Sequence, residues 1–251
     1  MRGGQRVLAA CIQAAVVVLL FGAWAYVTHG SRTLSLFLPA PDRVWANLGT
    51  IAASGALWAA AKITLLEIAE AYAIAAVAGI AVGFLVARSE GLLRLCEPML
   101  SGLFAIPITM FFPLFILFFG IGPTSKVAYG AVYAFFPIAL NTIAAFSNVE
   151  KLYLRSLRSL GASGVQQLRH VYLPAALPVT ITGLRIGFFI CIASVLGGET
   201  LASAAGIGRS IALSAELMDT ARMYAWIVFV VLVTLILNLL LYAAEARLKA
   251  E

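Results

Sequence analysis

Six apolar stretches alternate with short polar ones along this chain, at about 7–27, 63–86, 96–119, 126–146, 177–201 and 224–243. Each is close to the roughly 20 residues that cross a bilayer core of about 30 Å as a helix. The pattern predicts an all-α membrane protein with six transmembrane helices. Pro107 and Pro113 fall inside the third stretch and Pro137 inside the fourth. Proline removes a helix hydrogen bond, and membranes tolerate this where neighbours satisfy the freed backbone. Two roles fit these prolines: simple kinks, or kinked helices that line and gate a path, with Pro107 a candidate path residue.

Composition agrees. Of 251 residues, 63% are hydrophobic and 11% charged, against about 25% charged in a soluble domain. The net charge of +6 is then no nucleic-acid signal. It reflects where Lys and Arg sit around the spans. With both termini cytoplasmic, the inner face holds Arg2, Arg6, Arg88, Arg94, Lys151, Arg155, Arg158, Arg169, Arg247 and Lys249. The outer face holds the shorter set Arg32, Arg43, Lys62, Lys126, Arg209 and Arg222. The positive-inside bias therefore sets the N-terminus inside. Ala23-Trp24-Ala25 has the look of a signal-peptide cleavage site, but the apolar run before it exceeds the usual 7–15 residues, so a retained first helix is expected.

Chemistry-bearing clusters are sparse. Cys11, Cys96 and Cys191 lie in or beside apolar segments, without metal-ligand spacing, and read as small buried hydrophobes. His29 and His170 are isolated, and no phosphate-cradling loop is present. No cofactor is expected in this chain, and any ATP chemistry has to come from another one.

The longest charged stretch, about 30 residues, separates the fourth and fifth spans. Its 152–160 part has good helix formers with cations spaced among leucines. Gly161 permits a turn that a side chain would obstruct. Ser163 and Gln166 fit a capping box that starts a second helix through Leu168 and Val171. Pro174 and Pro178 are expected to punctuate the return to the membrane. From Gly161, nine residues lead to Val171, Tyr172, Leu173 and Pro174.

That spacing resembles the tail of E-A-A-x-x-x-G-x(9)-I-x-L-P, the cytoplasmic coupling loop of ABC importer permeases, with Val171 in the Ile place. The family's Glu-Ala-Ala is here Arg155-Ser156-Leu157, followed by Gly161, Ala162 and Ser163. The likeness extends over most of the chain. Leu38-Pro39-Ala40-Pro41, Thr64-Leu65, Ile106-Pro107, Phe112-Pro113-Leu114, Phe119-Gly120-Ile121-Gly122, Gly183-Leu184-Arg185, Glu199 and Gly206-Ile207-Gly208 resemble the sulfonate/taurine/nitrate group. The resemblance implies a type I importer permease fold in the bacterial cytoplasmic (inner) membrane. It implies a first helix and periplasmic segment over 1–56, a transmembrane domain over 57–245 with a coupling loop at 151–174, and a cytoplasmic tail over 246–251. It implies a partner ATPase subunit binding ATP and Mg, a periplasmic or lipoprotein solute-binding protein, and alternating access. Substrates of such relatives are small solutes: sulfonates, nitrate, aromatic acids, vitamin precursors. Six spans are few for a path, so a homodimer in membrane lipid is the economical reading.

Polar groups within spans are costly and usually face a bundle interior or water. Glu67 and Glu70, three apart, share a helix face, with Lys62 near enough in sequence to offset them. They are candidate path residues, and a wet helix end fits them equally. Glu199 near the end of span five fits a structural hydrogen bond or a substrate contact. Asn141, with Thr142, is expected to bond to neighbouring helices. Gly79-x-x-x-Gly83 and Gly183-x-x-x-Gly187 permit close helix packing, within or between subunits. The competing function is a small secondary transporter, which would show an internal repeat and ion-coupling residues. An intramembrane enzyme would need paired catalytic groups, and none is present in the sequence.

Overall fold

A computed structural model describes residues 3–30, 37–149 and 161–248. Among these, all regular structure is helical. In chain order the helices are α1 (Gly3–Gly30), α2 (Pro41–Ala53), α3 (Ala56–Ala87), α4 (Glu90–Ala105), a 3-10 turn (Ile108–Phe111), α5 (Phe112–Phe119), α6 (Pro123–Ser147), α7 (Gly164–Gln167), a π turn (Leu168–Tyr172), α8 (Leu173–Leu201), α9 (Ile207–Glu216) and α10 (Thr220–Leu248). Among the described residues, five helical segments are long and apolar enough to cross a membrane, and a bent pair makes up to six if it is one span. The short helices α2 and α9 lie outside the six-stretch pattern. Pro41 pre-sets the first turn of α2, and Asp42 places negative charge there, where the helix dipole favours it.

The bent pair corrects the third span. The sequence reads one helix over 96–119, but α4 and the segment Ile108–Phe119 meet at 74°. Pro107 lacks an N–H, and its ring forces Ile106 into extended backbone at ψ 131°. Pro113 does no such damage, because it sits in the first turn of α5, where N–H groups have no helical partner anyway. Pro137 leaves α6 continuous.

The chain divides into two compact units: residues 1–60 with 210–234, and residues 61–209 with 235–251. In the first, the Trp24 indole N–H donates to the Pro39 carbonyl at 3.0 Å, and α2 buries Val44 and Ile51.

The second unit is built on α6. Ala134 and Ile138 are fully buried among Ile68, Ala71 and Ala75 of α3 and Cys191 and Val195 of α8. Both glycine seams face this helix. A Cβ on Gly79 would lie 2.7 Å from Ile138, and one on Gly83 would lie 2.6 Å from Thr142. Gly183 meets Asn141, and Gly187 meets Ile138 from the other side. Missing side chains thus let three helices approach closely within one chain. An aromatic group of Phe112, Tyr129, Phe104 and Phe136 packs beside them, with Phe112 edge-on to Tyr129 at 5.0 Å. Apolar side chains cover the outside of this unit: Leu117, Phe118 and Leu239 are all exposed. That is the reverse of a water-soluble surface and suits lipid or another subunit.

Candidate functional site

Two sites emerge, one polar and buried, one at the charged loop. In the buried site Glu199, near the end of α8, is 0% exposed and Thr64, in α3, is 1% exposed. The Thr64 hydroxyl donates to Glu199 Oε1 at 2.7 Å. The Gly208 N–H donates to Glu199 Oε2 at 2.6 Å, and the Ile207 N–H donates to Thr64 Oγ1 at 2.9 Å. The first N–H groups of α9 are thereby capped by side chains from two other helices. A helix start leaves its N–H groups without helical acceptors, and an anion there is favoured. Gly206, at φ 108°, turns the chain against the Glu199 carboxyl, where a Cβ would collide with it. Lys126, at the start of α6 and 1% exposed, donates to the carbonyls of Ile121 and Gly122, the latter at 3.0 Å. Its charge acts on both Glu67 and Glu199. Glu67 is 3% exposed; its carboxyl shares a hydrogen bond with that of Glu199, while its Oε2 meets no N–H or hydroxyl donor.

Several expectations need correction here. Glu67 is buried but Glu70 is exposed. Residues three apart are offset by about 60° around a helix of 3.6 residues per turn, enough to put one inside the bundle and the other out. Lys62 is exposed too, and the cation acting on Glu67 is Lys126. The sequence counts Lys126 as an outer-face charge because it stands at the edge of a span. Its ammonium instead folds back onto two carbonyls preceding α6. Asn141 and Thr142 do not bond across helices. Their side chains donate to the carbonyls of Pro137 and Ile138 on their own helix, at 2.8 and 2.7 Å, as four-residue spacing permits. Pro107 stands at the break between α4 and the 3-10 turn, away from this polar cluster in the chain. Thr64 and Lys126 are the members that sequence reasoning missed as a site. The signals were an ammonium at a span edge and, for Thr64, the family-like Thr64-Leu65 pair that opens the second span.

At the loop, Gly161 is exposed with φ 77°, a conformation that side chains resist. The capping box forms: Ser163 N–H donates to Gln166 Oε1 at 2.8 Å, and Gln166 N–H donates to Ser163 Oγ at 3.3 Å. Gln167 Nε2 donates to the Ala162 carbonyl at 3.0 Å. Beyond the cap the expected punctuation is absent. One helical run extends from Gly164 to Leu201. Val171 lies in a π turn in which Leu173 N–H reaches Leu168 carbonyl. Pro174 follows directly and offers no N–H, so the widened turn absorbs the register change rather than ending the helix. Pro178 is accommodated inside α8. Arg155, Ser156 and Leu157, with the helix expected over 152–160, lie outside the described residues.

Residues 75–250 match the family described as "Binding-protein-dependent transport system inner membrane component". The taurine transport system permease protein TauC of Escherichia coli K12 is 31% identical over 92% of this chain and 86% of its own length. A putative aliphatic sulfonates transport permease protein, SsuC of Bacillus subtilis, is 28% identical over 84% of this chain and 76% of its own length. The nitrate import permease protein NrtB of Leptolyngbya laminosa is 25% identical over 93% of this chain and 85% of its own length. In fold, the chain is similar to one from an inward facing MetNI methionine ABC transporter, with TM-score 0.59 and 22% identity over 74% of this chain and 91% of that one. Long apolar helices and these matches agree that this chain belongs to the inner membrane components of binding-protein-dependent transport systems, as a multi-pass ABC importer permease.

Proposed function

We propose that this permease forms its path as a homodimer, driven by a separate ATPase that grips the loop at 151–174 and supplied by a solute-binding protein. The observation that carries this reading is the loop's construction. A left-handed glycine at Gly161 leads into a capped helix start at Ser163, which runs without interruption into a membrane span. A rigid, exposed turn joined directly to a span is a suitable handle for a partner's groove. The termini and this loop are cytoplasmic, in line with the charge distribution. The ATPase holds ATP and Mg, while this chain supplies Gly161, Ala162, Ser163, Val171, Leu173 and Pro174, with Arg155, Ser156 and Leu157 before them.

The substrate is a small organic anion or similar small solute. What supports this is the run of relatives named for taurine, aliphatic sulfonates and nitrate, although one named for riboflavin stands beside them. The test is to isolate the tagged chain from its host membrane and assay the co-purifying proteins, then vesicle uptake. A P-loop ATPase should co-purify, and uptake should require ATP. Gly161→Trp should insert normally, lose the ATPase and lose uptake. Uptake by the chain alone, driven by an ion gradient, would overturn the reading in favour of a secondary transporter.

A further inference from the structure

The buried cluster of Thr64, Glu67, Lys126 and Glu199 is an expensive way to hold helices together in a membrane. Elsewhere in the same unit glycines pack against the apolar side chain of Ile138, which holds no polar group. Polar links differ from apolar packing in one respect: water can replace them when helices part. An apolar seam has no such substitute, so a polar seam can be satisfied both closed and open. Glu67 Oε2 sharpens the contrast. In the closed arrangement this oxygen meets no N–H or hydroxyl donor, its carboxyl being shared only with that of Glu199, and an entering water would supply one. The cluster joins α3, α6, the end of α8 and the start of α9, all within one compact unit.

Resting on the permease reading, we propose that Thr64, Glu199 and Lys126 are positioning residues for transport. They form a latch that holds the turn at 202–208 shut against α3 and α6, and that opens to water when the path opens at this end of the bundle. Thr64 and Glu199 grip the turn through the N–H groups of Ile207 and Gly208. Lys126, anchored on the carbonyls of Ile121 and Gly122 and packed against Gly198, places a positive charge near the two carboxyl groups, and Glu67 provides the acceptor that hydration satisfies.

The reporter is Ile207→Cys, at a position 6% exposed, in a chain carrying Cys11→Ser and Cys96→Ser. Cys191, fully buried, is retained. Inserted protein is treated in vesicles with a membrane-impermeant maleimide. Thr64→Val keeps the side-chain shape but removes the hydroxyl that bridges Glu199 and Ile207. It should raise the labelling rate about tenfold, the equivalent of one hydrogen bond to a charged group. Glu199→Gln should act in the same direction, and Thr64→Ser should restore the parent rate. Uptake should fall in Thr64→Val and recover in Thr64→Ser. Unchanged labelling in both weakened variants at parent insertion levels would overturn the latch. So would failure of both to insert, which would make the cluster a folding element alone. The labelling needs no ATP, so it is separable from the wider reading, whose own failure would show as no ATPase bound to the parent chain.

Discussion

Ile138 occupies the space that a side chain on Gly187 would need: a Cβ there would lie 2.5 Å from Ile138 Cγ1. The same isoleucine fills the groove at Gly79 on its other side. One residue of α6 is therefore the spacer between α3 and α8, and both glycines set how close these helices come.

Gly187→Ala should overpack this seam. Inserting a methyl into a filled core costs about 1–3 kcal/mol, and a chain of this size loses roughly 2–4 °C of melting midpoint per kcal/mol. Gly197→Ala, with nothing near its added Cβ, serves as the control and should leave the midpoint near the parent value. Thermal unfolding in detergent checks both. Ile138→Val combined with Gly187→Ala should recover part of the loss, because the two groups compete for one space.

Ser163→Ala removes the hydroxyl that accepts from Gln166 N–H. Loss of an N-cap costs about 1 kcal/mol, so amide exchange at Gln166 should accelerate roughly fivefold. Ser163→Asp should retain the protection. Hydrogen exchange of the intact chain is the measurement, and equal protection in Ser163→Ala would show that the cap contributes nothing to the loop.

Glu67→Gln and Glu70→Gln should part company. Glu67 lies within the buried cluster, whereas Glu70 is exposed. Glu67→Gln should lower ATP-driven uptake severalfold at normal insertion, and Glu70→Gln should leave uptake near the parent rate. Equal losses from the two would place both on one functional face, contrary to the structure.

Lys126→Met should prevent stable insertion. It removes a buried ammonium that bonds the Ile121 and Gly122 carbonyls and whose charge acts on two buried carboxyl groups, and uncompensated buried charge costs about 3–5 kcal/mol. Adding Glu67→Gln should restore some folded protein. Yields of monodisperse protein on size-exclusion chromatography report both.

What the sequence made legible follows the range of the forces involved. Spans are a matter of local composition, so five of the six apolar stretches reappear as long helices and the third as a bent pair. The capping box is equally local, since Ser163 and Gln166 need only each other. Prolines are harder: Pro107 breaks its span and Pro137 does not, because the outcome depends on what surrounds the freed carbonyl. The polar cluster was half legible. Glu67 and Glu199 stand out as carboxylates in apolar runs. Their partners Thr64 and Lys126 come from distant segments and look like ordinary span-edge residues. Nothing local tells Glu67 from Glu70; only the packing of α3 against its neighbours separates them.

The unbroken run from Gly164 to Leu201 is 38 residues long, about 57 Å at 1.5 Å per residue. The capped turn at Ser163 stands just before one end, and Glu199 is two residues from the other. The run is in effect a single lever arm, with the π turn and Pro178 both near its loop end. A tilt of about 5° about that end would carry Glu199 sideways by roughly 5 Å over such a length, well beyond the reach of a hydrogen bond. A small rotation at the loop end would therefore be magnified at Glu199, with no relay of side chains between.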